Sequence, residues 1–250
     1  MKRNLLTLMG VALVAAACSD GTAPGPQVSL SFSGGGSPTA AAPGLSLQRV
    51  GAPLSDGSNT LDITSAEVVL REIELKRVEV TDCDVASESD LCEKFQVGAM
   101  LVSLPVDGST AQALAIDVAP GTYDEIEFDI HKVSNDDPED AAFRADHPDF
   151  VGVSIRVQGT YNGTPFTYVT DVNEEQEFEL AQPLVIDENT GSINLTIRFD
   201  LSQWFVDGQG GLLDPATGNK GGDNESLINE NIKQSLEAFE DADRDGEDDA

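Results

Sequence analysis

The side chains best spaced to do chemistry lie at the C-terminal end, where Asp241, Asp243, Asp245, Glu247 and Asp249 occupy alternate positions with Gly246 among them. Carboxylates at this spacing turn several hard oxygens toward one point, and the glycine permits the sharp turn that gathers them. That donor set fits calcium. Counted from Asp241, carboxylates fall at positions 1, 3, 5 and 9, glycine at 6, and the backbone carbonyl of Glu247 at 7. Position 12, where a calcium loop carries a bidentate glutamate, lies past Ala250. A complete site therefore needs an oxygen from the body of the domain or from a neighbouring molecule. The plainer alternative is a frayed acidic tail.

Cys83 and Cys92 are the next candidates, with eight residues between them and the third cysteine far away at Cys18. In an exported chain such a pair reads as a disulfide closing a polar loop. Zinc binding is the lesser reading, because no histidine lies nearby to complete a site. Between Ser134 and Phe150 stand Asp136, Asp137, Glu139, Asp140, Asp146, His147 and Asp149, at no recognised metal spacing; the expectation is a solvated insertion. The two histidines, His131 and His147, read as exposed polar residues. Trp204, beside the Gly-rich run at 207–211, reads first as a plug closing one end of the core and second as a candidate ligand contact able to stack on a sugar.

Export itself is read from the first eighteen residues. Lys2 and Arg3 precede the apolar run Leu5 to Val14, and Ala15-Ala16-Ala17 leads into Cys18. This is a bacterial signal segment, too short to persist as a spanning helix. The small residues before a cysteine resemble a lipobox, which implies acylation of Cys18; cleavage after Ala17 to leave a free thiol is the alternative. Ser19 in place of aspartate points toward the outer membrane or the cell surface. With a formal charge of -31, the chain repels nucleic acid and anionic headgroups. Cations and basic partners are compatible with it, although acidity also serves simple solubility in a salty medium.

The elements that must position these groups are strands. Residues 18–44 are rich in Gly, Pro, Ser and Ala and read as a tether, with a first strand starting near 28 where Val28, Leu30 and Phe32 alternate with serines. From residue 60 the period is two, and its phase slips near Arg71-Glu72, predicting a bulge within one long strand. Ile126, Phe128 and Ile130 alternate with Glu127, Asp129 and His131, the pattern of a sheet with one buried face. Asn162-Gly163 predicts a two-residue hairpin. Only Leu227 or Ile228, then Ile232, Leu236 and Phe239, behind Asp223 and Asn224 as candidate caps, fall at helical spacing. The expected fold is mainly β: an antiparallel β-sandwich, Ig-like or transthyretin-like, with one C-terminal α-helix. The expected organisation is a signal at 1–17, tether at 18–44, sandwich at 45–206, and a turn, helix and acidic tail at 207–250.

Two resemblances follow from these residues. The run from Leu61 to Arg77 and the later Val118 to Ile126 resemble the bacterial lipoprotein domain of unknown function 4382, over about residues 28–200; this implies an exported β-sandwich and brings no catalytic residues. The run from Asp241 to Asp249 resembles the first part of an EF-hand or dockerin calcium loop. No nucleophile elbow, P-loop, dinucleotide fingerprint or zinc-protease motif occurs in the sequence. The chain therefore reads as a lipid-anchored, non-catalytic module that binds or presents an envelope protein or a glycan. A structural accessory subunit is the second reading, and a hydrolase acting on carbohydrate or peptide the remote one.

Overall fold

The computed structural model describes residues 25–35, 53–78 and 92–249. In chain order its elements are β1 (Gln27–Ser33), β2 (Leu54–Ser55), β3 (Thr60–Arg77), β4 (Cys92–Gln96), β5 (Met100–Leu104), β6 (Thr110–Asp117), β7 (Gly121–Ile130), α1 (Ala141–Asp146), β8 (Ile155–Tyr161), β9 (Thr164–Thr170), β10 (Glu174–Ile186), β11 (Ser192–Phe199), α2 (Leu201–Trp204), α3 (Glu225–Gln234) and β12 (Leu236–Glu240). The mainly β expectation holds. Four strands form one sheet in the order β12-β11-β1-β6, and the other sheet runs β10-β7-β3-β8-β9 with β2, β4 and β5 also paired to β3.

β3 is the spine. At about 3.3 Å per residue its 18 residues span roughly 60 Å. Along one side β8 pairs with Leu61 to Val68 and β7 with Leu70 to Arg77; along the other, β5 pairs with Ala66 to Leu70 and β4 with Ile73 to Lys76. The phase slip read from the sequence is a real bulge: pairing with β7 skips from Arg71 to Glu74, and Glu72 adopts a φ of 50°. Without it, Leu70 and Ile73 could not both face the core. The Asn162-Gly163 turn is also as expected, with φ of 51° and 77° joining β8 to β9.

The two sheets meet across side chains of alternating phase. Val28, Leu30 and Phe32 of β1 and Leu195, Ile197 and Phe199 of β11 join Ile126, Phe128 and Ile130 of β7 in one buried cluster. Phe128 and Phe199 meet across the interface at 6.4 Å between ring centres.

Three expectations need correction. The sandwich is not wholly antiparallel, because β1 runs parallel to β11 and antiparallel to β6. The C-terminal helix is shorter than its apolar spacing predicted: α3 ends at Gln234, and Leu236 and Phe239 lie on β12, paired with β11. Leu236 and Phe239 are buried by sheet pairing, which overrides a helical period that four apolar positions define only weakly. The acidic stretch at 134–150 is not a bare insertion. It folds into α1 and a short 3-10 turn that place Phe143 and Phe150 on Val69 and Val133, a second small core on the outer side of the sheet. Among the described residues no helix is long and apolar enough to cross a membrane.

Candidate functional site

The outer face of the four-stranded sheet is polar yet buried. On β1, Ser29, Ser31 and Ser33 alternate with the core residues, and on β11 Asn194, Thr196 and Arg198 do the same. What covers them is the chain after β12. Ser31 Oγ donates to Asn194 Oδ1 at 2.8 Å, and Asn194 Nδ2 donates to the Asp241 carbonyl at 2.9 Å. Thr196 Oγ1 donates to Asp241 Oδ2 at 2.7 Å. A seam of small hydroxyls and one amide thus seats Asp241, which is 0% exposed.

From that seat the chain winds through a tight loop. Gly246, at a φ of 83°, turns its N–H toward Asp241 Oδ2 at 3.1 Å, and Arg244 also takes a positive φ. Asp243 Oδ1 accepts the Asp245 N–H, Asp245 Oδ1 accepts the Glu247 N–H, and Asp249 Oδ2 accepts the Ala242 N–H. The Asp249 N–H returns to the Glu240 carbonyl and closes the loop. Carboxylate oxygens of Asp241, Asp243 and Asp249 then lie within 4.8 Å of one another. Asp241 Oδ1 is buried and has no hydrogen-bond partner. An unpaired carboxylate oxygen in a buried setting is costly, and a hard cation is the partner whose chemistry suits three converging carboxylates. Of the five residues singled out by spacing, the fold brings together Asp241, Asp243 and Asp249. The Asp245 side chain serves the Glu247 N–H and lies outside that group.

Two other acidic groups are already filled by protein. Glu125, Glu127 and Glu177 converge on Lys76 Nζ, whose side chain is only 3% exposed; it meets Glu127 at 2.9 Å and Glu177 at 3.6 Å and contacts Glu125. Burial opposes its charge, but hydrogen bonds to Glu125 and Glu127 outweigh burial and hold its pKa above the ordinary lysine value. Beside them Glu175 has its pKa pushed up to about 7, first by a hydrogen bond shared with Glu127 and then by burial.

The other group is His131, Asp137 and Asp140. His131 is 4% exposed, a correction to its reading as a surface residue: α1 and its flanking turns cover the end of β7. Its Nε2 lies 2.8 Å from Asp140 Oδ1, while Asp140 Oδ2 accepts the Ser134 N–H and Asp137 is held by Arg71 and the Glu139 N–H. Protein donors satisfy these carboxylates, so the group pins the 134–150 segment to the sheet.

Trp204 is 0% exposed, donates Nε1–H to Ser235 Oγ at 2.7 Å, and meets Phe199 edge to face. It is the plug, the first of the two sequence readings, and no ligand contact: the single turn of α2 swings the indole back over the core end. Cys92 opens β4, buried and disulfide-bonded. Cys83, Cys18 and the signal segment lie outside the described residues.

The residues missed from sequence are those that seat the loop: Thr196, Asn194, Thr110 and Arg198. A signal was present, since β1 and β11 carry small uncharged polar residues on their outer faces where an exposed strand of so acidic a chain would carry glutamates, as β7 and β10 do.

No family model matches this sequence, and no curated protein does. Among solved structures the chain is similar to MbnP from Methylosinus trichosporium, at 11% identity and a TM-score of 0.40, over 86% of this chain and 99% of that one.

Proposed function

We propose that this chain is a lipid-anchored, non-catalytic β-sandwich displayed at the bacterial cell envelope, where it binds or presents an envelope protein or glycan, and that its C-terminal loop holds calcium. One observation carries the calcium reading: Asp241 is fully buried with Oδ1 unpaired, and Asp243 and Asp249 converge on it. Calcium at extracellular millimolar levels is enough for a site of the affinity such modules have, a Kd of about 10⁻⁴–10⁻³ M. The non-catalytic reading is supported by the other carboxylate groups, which Lys76, Arg71 and backbone N–H groups engage as structural partners. The likeness to domain of unknown function 4382, the acylation of Cys18 and the pairing of Cys83 with Cys92 belong to the same proposal. Burial of Cys92 in disulfide form supports the last of these.

A second reading, an accessory subunit of an envelope assembly, is favoured by β6. It is the edge of its sheet, and among the described residues it has only β1 as partner; Ala111, Gln112, Ala113 and Ala115 are exposed and Asp117 is its single charge. Edges this bare pair readily with other strands.

The test has two arms on the purified protein and the producing cells. In thermal unfolding, calcium raises the melting temperature of the wild type and leaves Asp241→Asn unmoved, with magnesium far weaker. In fractionation, Cys18→Ser moves the protein from membranes to the soluble fraction. A melting curve indifferent to calcium removes the metal reading, and an unchanged membrane fraction for Cys18→Ser removes the anchor.

A further inference from the structure

The loop of residues 241–249 does more than gather carboxylates, because every strand it crosses is held by it. Thr110 Oγ1 on β6 donates to the Arg244 carbonyl at 2.7 Å, Arg244 Nη2 donates to Ser29 Oγ on β1 at 3.2 Å, and Arg198 Nη1 on β11 donates to the Gly246 carbonyl at 2.9 Å. Asn194 Oδ1 accepts from both Ser29 and Ser31 and passes the contact on to Asp241 through its Nδ2. The central strand beneath is β1, whose partners among the described residues, β11 and β6, are distant along the chain. Among the described residues β1 is also the strand nearest Cys18 in sequence.

Six carboxylates and one arginine stand within these nine residues. Without a cation their mutual repulsion favours an opened loop, and opening it bares the outer face of β1. With a cation the repulsion is relieved and the hydroxyl seam stays covered. We infer that calcium in the C-terminal loop clasps β1 between β6 and β11, so that the hold on the strand leading to the N-terminal anchor depends on calcium. This inference rests on the calcium reading and adds a regulated element to it.

Hydrogen exchange on the whole protein, with and without calcium chloride, reads the clasp directly. At a calcium concentration ten times Kd, linkage slows opening of the loop and of the β1 amides Val28 to Phe32 by about tenfold. Arg244→Asn keeps every candidate carboxylate and suits a positive φ, since asparagine tolerates that conformation; it removes the contact to Ser29. That variant binds calcium, by titration, at least as tightly as the wild type, yet calcium slows its β1 amides by much less. Ser29→Ala behaves alike. Calcium binding in the wild type with no slowing at β1, or full slowing in both variants, overturns the clasp and leaves the calcium site standing. No calcium binding at all overturns both.

Discussion

Replacing Lys76 by methionine removes the ammonium shared by Glu125, Glu127 and Glu177 while keeping most of the side-chain volume. Glu177 is more than half exposed and well screened, so the cost rests on Glu125 and Glu127, whose side chains are 21% and 14% exposed. Removing one member of a buried charge cluster leaves the rest uncompensated and costs about 3–5 kcal/mol. The partial exposure of both glutamates puts the loss at the lower end, about 3 kcal/mol at pH 8. For a domain of this size that lowers the melting temperature by about 6–12 °C. Urea unfolding at pH 8, followed by the fluorescence of Trp204, the single tryptophan, measures the loss. A loss below about 1 kcal/mol at pH 8 refutes the charge argument. The same variant makes a second point: with Asp241→Asn added to silence the C-terminal loop, the freed carboxylates become a cation site. If it binds with a Kd near 1 mM, about 10 mM calcium returns about 1.4 kcal/mol.

Three further outcomes are expected. Glu175→Gln leaves stability nearly unchanged at pH 4 and raises it at pH 8: the wild-type carboxyl, with its folded pKa near 7 against 4.5 unfolded, contributes stability that is present below the unfolded value and lost as the pH climbs through the folded one. Thermal melts across pH 4–8 read this, and parallel curves would contradict it. Trp204→Phe loses the hydrogen bond to Ser235 and part of a fully buried ring system, lowering stability by about 2–4 kcal/mol in urea, with calcium affinity unaltered. Gly163→Ala places a side chain at a φ of 77° and costs about 1–2 kcal/mol, while Gly208→Ala, outside any positive φ, costs far less; equal effects would show that the hairpin geometry is misassigned.

How much of this was legible beforehand depended on whether a feature is local. The bulge at Arg71-Glu72 and the turn at Asn162-Gly163 are written in a phase slip and a dipeptide, and both were read correctly. The Asp-rich loop likewise declared itself by spacing, and the fold gathers Asp241, Asp243 and Asp249. Long-range pairings left no such trace. Nothing near Val28 says that β1 lies parallel to a strand more than 160 residues away, and nothing in the apolar spacing of Leu236 and Phe239 reveals that β11 waits to pair with them. His131 differs for a related reason: it continues the polar phase of β7 one residue past the strand's end, but a separate segment carrying Phe143 and Phe150 folds over that phase and buries it. The Lys76 cluster was equally hidden, because Lys76 and Glu74 look like a wet strand face until β7, β4 and β10 bring their own charges alongside.

The calcium loop is the claim on which the rest of the functional account turns, and counting bound ions tests it without reference to stability. Equilibrium dialysis of the chelator-stripped protein against radioactive calcium gives stoichiometry and affinity together. The account predicts one ion per chain with a Kd of about 10⁻⁴–10⁻³ M, lost in Asp241→Asn and retained in Glu177→Gln. Binding that survives Asp241→Asn, or no bound calcium at about 10 mM, contradicts it.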